Sequence, residues 1–195
     1  MKGARPLSRE EIQKVQGSFS GKYALRDQAL FVLCYTTGYR ISEALSLLVS
    51  DAIQQGKLVD RIAVKRCNMK KKQEGRIVPF HSDAKAAVSL WVHELAQCTQ
   101  IDDETFLFRS REGRNKSISR IQAWRILKKA YRVAGLIGPG LSCHSTRKFF
   151  AAVLYEKFNH DLIKLQRSLS HKSVSSTASY LSFKEDEIEK AILAI

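Results

Sequence analysis

One short segment, residues 58–80, departs from the helical pattern of the rest of the chain and so decides the fold class. Arg61-Ile-Ala-Val64 and Arg76-Ile-Val-Pro-Phe80 are short and β-prone, and a polar, lysine-rich connection separates them. This pattern predicts two antiparallel strands joined by a hairpin. Near its tip stand three lysines, Lys70, Lys71 and Lys72. Elsewhere apolar residues recur every three or four positions, so we expect a mainly α protein with one small antiparallel β-sheet, an α+β fold.

Capping residues and chain breakers set the expected helix boundaries. Ser8-Arg-Glu-Glu11 is a capping-box pattern and predicts a helix that ends near Gln16. A buried helix is expected over Tyr23–Thr37, stopped by Gly38. Ser42 is expected to cap the short helix that follows. Further helices are predicted from Ser82 to about Cys98, from Ser119 to Gly135, from His144 onward, from Asp161 to Leu169, and over residues 184–195.

The charge balance limits the choice of partner. The 195 residues include 33 Lys plus Arg and 19 Asp plus Glu, a formal charge of +14, which predicts a polyanionic partner such as nucleic acid. A membrane surface is the alternative, but no apolar run approaches the roughly 20 residues of a spanning helix. The N-terminus also lacks the apolar region of a signal peptide. The length allows one domain or at most two small ones.

Cysteine and histidine spacing argues against a metal site. The four cysteines are scattered, without a Cys-x-x-Cys pair, at positions Cys34, Cys67, Cys98 and Cys143. That distribution fits a reducing cytosol rather than a disulfide framework. Because the histidines show no His-x-x-x-His spacing either, we expect no metal.

The stretch from Leu141 to Tyr180 carries the residues best suited to chemistry. His144 and Arg147 lie three residues apart at the start of a predicted helix, and His171 lies nine residues before Tyr180. Basic groups beside a phenol suit a site that holds an anionic phosphate next to a nucleophile. A free phenol ionises near pH 10, so it needs nearby cations and imidazoles to react at neutral pH. The alternatives are a tyrosine ring packed in the core and histidines bonded to the backbone.

Arg40 is a second candidate for phosphate binding. It follows an apolar helix and precedes another, and Glu43 stands three residues later. An arginine in so apolar a setting is either buried against a carboxylate or directed at a ligand, and Glu43 can hold it in both cases. Guanidinium groups suit phosphate because they stay charged and donate in a planar fork.

Three separated motifs run in order along the chain. They are Thr37-Gly-Tyr-Arg-Ile-Ser-Glu-Ala-Leu45, Leu141-Ser-Cys-His-Ser-Thr-Arg147 and Leu169-Ser-His-Lys-Ser-Val-Ser-Ser-Thr-Ala-Ser-Tyr180. Together they resemble the catalytic domain of the tyrosine recombinases, the phage integrase family. The family patterns are Thr-Gly-x-Arg-Ile-Ser-Glu-Leu, His-x-x-Arg and Leu-Gly-His-Ser-x-x-x-Thr-Thr-x-x-Tyr. The lysine-bearing hairpin before Arg-Ile-Val-Pro agrees with the same family, so the resemblance covers nearly the whole chain.

The resemblance implies a role for each matching residue. Arg40 and Arg147 would clamp the scissile phosphate of double-stranded DNA, with Glu43 supporting Arg40. Tyr180 would attack phosphorus and form a 3′-phosphotyrosyl link, with a free 5′-hydroxyl as the leaving group. His144 would assist proton movement at the nucleophile, and His171 would hydrogen-bond the phosphate.

The hairpin lysines would have two kinds of role in the same reaction. One of them would protonate the leaving oxygen, and counting back from the Arg-Ile-Val-Pro strand favours Lys71, with Lys72 next. The others, Lys70 among them, would contact backbone phosphates. The linkage conserves the phosphodiester energy, so the resemblance implies neither ATP nor a metal as cofactor.

The chain departs from the family pattern in a few places. Ser170 replaces the usual glycine before His171, and Thr146 stands where leucine is usual. We expect residues 1–195 to form a single catalytic domain without the N-terminal helical domain of other members. The tail helix, residues 182–195, would dock on a neighbouring protomer or fold back on its own.

The resemblance also implies an assembly and a place in the cell. We expect a dimer to tetramer on DNA, in the cytoplasm and nucleoid of a prokaryotic, phage or mobile-element host. Two alternatives remain: a DNA-relaxing enzyme of the type IB topoisomerase kind, and a DNA-binding regulator that kept the fold without turnover.

Overall fold

The computed structural model describes residues 4–65, 75–181 and 193, and it divides into two compact units, residues 1–150 and 151–195. The first unit contains α1 (Arg9–Gln16), α2 (Ala24–Thr37), α3 (Ile41–Ala44), α4 (Val49–Ala52), β1 (Ile53–Gln54), β2 (Lys57–Leu58), β3 (Arg61–Val64), β4 (Arg76–Pro79), α5 (Ser82–Cys98) and α6 (Arg120–Val133). The helix α7 (His144–Lys157) includes the boundary, and the second unit contains α8 (Leu162–Leu169) and α9 (Val174–Ala178). The expected helix-rich fold with a small antiparallel sheet is confirmed.

Three helices start at the residues predicted from the sequence, Ser8, Ser119 and Asp161. Ser8 Oγ accepts from the backbone N–H of Glu11 at 3.2 Å, and the Glu11 carboxylate accepts from the backbone N–H of Ser8 at 2.9 Å. Ser119 and Asp161 cap α6 and α8 through their side chains. These short-range bonds satisfy donors that the first helical turn leaves unpaired.

The cap predicted at Ser42 is wrong. The helix α3 begins at Ile41, and the N-cap position belongs to Arg40, whose backbone N–H donates to the Glu43 carboxylate at 2.8 Å. Ser42 lies inside the helix with an exposed side chain. The longer glutamate side chain therefore caps this helix start, and the arginine is fixed at the N-cap position.

The two strands on either side of the lysine-rich connection pair as expected. The structure also contains a second strand pair that was not predicted. β3 and β4 are antiparallel, with Ile62 opposite Val78. β1 and β2 form a separate pair, and the two residues that join them, Gln55 and Gly56, both have positive φ, 51° and 73°. Two-residue connections of that kind match the twist of a hairpin.

The helix α2 lies in the core of the first unit. Its apolar residues are buried on nearly every side, Leu30, Phe31 and Leu33 completely. It packs against α5, where Trp91 Nε1 donates to the Leu107 carbonyl at 2.6 Å. In the second unit, α8 packs against α9, and Leu165 and Leu169 are fully buried. No helix in the described ranges is long and apolar enough to cross a membrane.

The C-terminus of α2 has a tightly enclosed glycine cap. Gly38 has φ 61°, and its N–H donates to the Cys34 carbonyl at 3.0 Å. The ring of Phe150 occupies the place where a side chain at Gly38 would start. Gly21 also has positive φ, 88°, but faces open space.

These two glycines predict substitutions with different costs. We expect Gly21→Ala to lower the free energy of unfolding by about 1 kcal/mol, because alanine disfavours the left-handed conformation. Gly38→Ala carries that cost and also overlaps Phe150, so we expect a total loss of roughly 2–4 kcal/mol. Urea denaturation of both variants measures the difference. Equal losses would show that Phe150 moves aside without cost.

Candidate active site

The turn between α2 and α3 holds Arg40 in a defined place. Arg40 Nη1 donates to Glu43 Oε1 at 2.5 Å, while its backbone N–H donates to the other carboxylate oxygen. The Arg40 side chain is 22% exposed and that of Glu43 is 1% exposed. Of the two possibilities left open by the sequence, the pairing with a buried carboxylate is observed, and the partial exposure of the Arg40 side chain leaves the direction toward a ligand as a prediction. Among the described residues, no acceptor bonds to its Nε or Nη2.

Arg147 joins the same cluster from the first turn of α7. Its Nη1 donates to the Gly38 carbonyl and lies 3.8 Å from Glu43 Oε2. Its side chain is 1% exposed, and among the described residues it is the largest of the fully buried side chains. One carboxylate thus contacts two guanidinium groups that come from distant motifs, and it can neutralise the charge of only one of them.

Arg76 is a third arginine at this place, and the sequence analysis missed it. Its Nη1 donates to the Gly38 carbonyl at 3.1 Å and its Nη2 to the Thr37 carbonyl at 2.8 Å. Burial lowers the pKa of Arg76 from its usual value, and Glu43 partly opposes that shift. The alternation of residues along β4 could have indicated that Arg76 is buried, because it lies on the same inward face of the strand as Val78.

His144 lies three residues before Arg147 but in a different environment. Its side chain is exposed, and its backbone N–H donates to Ser142 Oγ at 3.1 Å. The residue before it, Cys143, is partly buried, and that burial raises the pKa of its thiol to about 11. The His144 imidazole is thus accessible to solvent, unlike the buried guanidinium of Arg147.

The second unit brings His171 and Tyr180 together. Their ring centroids lie 4.9 Å apart, and His171 Nδ1 lies 3.0 Å from Thr177 Oγ1. His171 is 9% exposed, whereas Tyr180 is only partly buried and follows the end of α9. The phenol is thus not sealed in the core.

Lys70, Lys71 and Lys72 lie outside the described residues, as does the tail apart from Leu193.

A strained residue sets the position of His171. Ser170 caps the C-terminus of α8 with φ 50°, a conformation in which its N–H donates to the Arg167 carbonyl at 3.0 Å. The next N–H, that of His171, donates to the Gln166 carbonyl at 3.1 Å, and Gln166 Nε2 donates back to the His171 carbonyl at 3.0 Å. Glycine is the usual residue at such a cap.

Comparison with known proteins agrees with this architecture. The profile described as the phage integrase family matches residues 6–187. A tyrosine recombinase XerD of Corynebacterium glutamicum is 35% identical over 166 residues, which cover 85% of this chain and 51% of that protein. The probable integrase/recombinase YoeC of Bacillus subtilis is 33% identical over 184 residues, 94% of this chain and 92% of that protein.

Solved structures show the same fold. The XerH site-specific recombinase bound to palindromic difH substrate superposes with a TM-score of 0.74 at 26% identity, covering 96% of this chain and 52% of that one. Helices around a small antiparallel hairpin, with arginines gathered from separated motifs, define a recombinase-type catalytic fold. The chain belongs to the phage integrase family, the tyrosine recombinases. It spans about half the length of the XerD relative and of the XerH chain.

The cap at Ser170 gives a stability prediction. We expect Ser170→Gly to raise the free energy of unfolding by about 0.5–1 kcal/mol, because glycine adopts positive φ without strain. Ser168→Gly, two residues earlier in α8, should instead lower it by roughly 0.5 kcal/mol. Urea denaturation combined with hydrogen exchange of the α8 and α9 amides measures both. A Ser170→Gly variant no more stable than the parent would contradict this account.

Proposed function

We propose that this chain is a site-specific DNA recombinase that cuts and rejoins DNA strands through a 3′-phosphotyrosyl intermediate. The observation that carries the proposal is the convergence of Arg40 and Arg147 on Glu43. A buried carboxylate that orders two guanidinium groups prepares them for an anion before the anion arrives. Preorganised donors of this kind stabilise a transition state without reorganisation at the moment of reaction.

The phosphate would bind to donors that the cluster leaves directed outward. Arg40 offers Nε and Nη2, which make no hydrogen bond among the described residues, and its side chain is partly exposed. Arg147 is buried in this structure, so its contact with the phosphate requires a local opening, which we propose DNA binding supplies. Each oxyanion donor of this kind contributes about two to three orders of magnitude in rate in other enzymes.

Tyr180 would supply the nucleophile. Its phenolic oxygen forms a bond to phosphorus while the bond from phosphorus to the 5′-oxygen breaks. The phenolic proton leaves through His144, and Lys71, or Lys72 next to it, returns a proton to the 5′-oxygen. Rejoining reverses both transfers, so the phosphodiester energy is retained and the step needs no ATP.

Thr177 would decide which nitrogen of His171 faces the phosphate. If the Thr177 hydroxyl donates to Nδ1, the proton of the neutral ring resides on Nε2, which then donates to a phosphate oxygen. The distance of 3.0 Å between Oγ1 and Nδ1 allows this arrangement. A hydrogen bond to one ring nitrogen commonly sets the role of the other.

The similar solved structures suggest which partner to expect, because they contain DNA. The XerH structures hold the difH substrate in pre-cleavage and post-cleavage complexes. We propose that this chain likewise binds double-stranded DNA, as a dimer or tetramer, in the cytoplasm of a bacterial or phage-infected cell. Its formal charge of +14 supports a polyanionic partner, and its affinity should fall steeply with salt.

Covalent trapping tests the nucleophile. With a nicked suicide substrate, we expect the parent protein to form a protein–DNA adduct that survives denaturing electrophoresis. Tyr180→Phe should form none, because it lacks the attacking oxygen. Tyr155→Phe, at a second tyrosine of the same unit whose ring meets that of His160 edge-on, should keep the adduct. An unchanged adduct in Tyr180→Phe would falsify the assignment.

The same assay separates the alternative functions. Relaxation of any supercoiled plasmid would indicate a topoisomerase-like enzyme. Tight, site-specific binding without an adduct in the parent protein would indicate a regulator that lacks turnover.

The role of Thr177 gives a further prediction. Thr177→Val keeps the shape of the buried side chain but removes the hydroxyl, so His171 Nδ1 loses its hydrogen-bond partner and, in the arrangement proposed above, the bond that sets its tautomer. We expect the rate of adduct formation to fall by roughly 10-fold or more, and Thr177→Ser to retain most of it. Single-turnover rates at saturating DNA measure the effect. Equal rates for the valine and serine variants would contradict it.

A further inference from the structure

We propose that Arg76 is a positioning residue for the phosphate-binding arginines, and that it acts through the Gly38 carbonyl. The inference rests on the proposed function, because it concerns the site that would hold the scissile phosphate. Arg76 does not touch the phosphate in this scheme. It fixes the acceptor against which Arg147 is held.

The two outer nitrogens of Arg76 bind consecutive carbonyls. Nη2 donates to Thr37 at 2.8 Å and Nη1 to Gly38 at 3.1 Å, at the point where α2 ends. Carbonyls in the last turn of a helix lack partners within the helix and carry its partial negative charge. A planar guanidinium is suited to bridge two such oxygens, because its donors are held in a fixed fork.

The Gly38 carbonyl also accepts from Arg147, so one oxygen contacts two guanidinium groups. A carbonyl oxygen has two lone pairs and can serve both donors. Arg76 therefore holds the oxygen from one side while Arg147 binds it from another. If Arg76 were removed, the oxygen would keep Arg147 as a ligand but lose the bond that fixes its direction.

Tyr39 links the same cluster to the β3–β4 hairpin. Its hydroxyl lies 2.8 Å from the Ile62 carbonyl and 3.2 Å from the Arg76 carbonyl, one on each strand. The guanidinium of Arg76 lies over the rings of Tyr39 and Phe150, with distances of 5.2 and 5.8 Å to their centroids. Tyr39 stands directly before Arg40. The hairpin strands and the phosphate-binding turn are thus tied together at one point.

The burial of the Arg76 guanidinium is not explained by stability alone. The residue is 4% exposed, and within the described ranges its Nε–H is buried without an acceptor. A well-packed apolar side chain is often at least as stabilising as a buried cation. Unsatisfied buried donors in native proteins are few, and each of them requires an explanation. Here the explanation we propose is that Arg76 orders the pair formed by Arg40 and Arg147.

Arg26 provides a matched control. It is also buried, lies 4.6 Å over the ring of Tyr23, and donates to a backbone carbonyl, that of Arg109, at 3.3 Å. It also pairs with a neighbouring carboxylate, that of Asp27, at 2.8 Å, whereas no such pair involves Arg76 among the described residues. It lies near the start of α2, whereas the cluster lies at the end of that helix. Loss of Arg26 should therefore affect folding at least as much as loss of Arg76 does, but it should leave the cluster unchanged.

The test compares Arg76→Gln and Arg26→Gln on two suicide substrates. One carries the natural scissile phosphate. The other carries a methylphosphonate there, whose methyl group replaces a charged oxygen. On the phosphate substrate at saturating DNA, we expect Arg76→Gln to slow cleavage by about 10- to 100-fold, as small displacements of binding groups do. Arg26→Gln should stay close to the parent rate.

The methylphosphonate separates positioning from simple loss of structure. It has no negative charge for the arginines to neutralise, so we expect the Arg76→Gln defect on it to shrink to within about 3-fold of the parent. A defect of the same size on both substrates would overturn the proposal, as would an equal defect in Arg26→Gln. If Arg76→Gln does not fold, Arg76→Lys keeps the charge without the fork and should show the same substrate dependence to a smaller degree.

A second measurement does not require cleavage. In the DNA-free protein, nitrogen-15 NMR of arginine side chains reports how well the Arg147 guanidinium is ordered. We expect its Nε–H signal to broaden or exchange faster in Arg76→Lys than in the parent or in Arg26→Gln. An unchanged signal would refute the positioning role. A parent protein that forms no adduct would refute the proposed function, while this measurement would still decide the role of Arg76.

Discussion

The carbonyl of Gly38 is the acceptor around which the first unit's polar site is built. The helix α2 ends there because Gly38 adopts φ 61°, and the turn places Arg40 at the start of α3. The same oxygen accepts from Arg76 and Arg147. Since α2 lies in the core, this acceptor stands at the end of a buried helix, and the two guanidinium groups that bind it are positioned by that helix. A site built on such an element is more exact than one built on a loop.

The charge of Glu43 explains how two arginines stay close together. Like charges repel strongly in a medium of low dielectric constant, and Arg147 is completely buried. The Glu43 carboxylate contacts both guanidinium groups and also caps α3, so one side chain satisfies the helix start and the cations together. It neutralises one positive charge and leaves the pair suited to an anion. In the proposed function, the pairing that stabilises the cluster would also prepare it to bind phosphate.

The sequence predicted the parts that depend on neighbouring residues. Ser8, Ser119 and Asp161 start helices through bonds that span only three positions, and these were located correctly. The cap predicted at Ser42 was wrong, because the longer Glu43 side chain accepts from the backbone N–H of Arg40, which is the N-cap. The role of Arg76 was not predictable in this way. Its acceptors lie 38 and 39 positions away along the chain, and no local pattern encodes that contact.

The two units hold their candidate site residues by the same physical means. Arg147 is held by a backbone carbonyl and a buried carboxylate, while the imidazole of His171 is held by the hydroxyl of Thr177. In each case a buried group with no reactive role fixes the direction of the donors beside it. Removing such a support would leave the candidate residue in place but let its geometry vary.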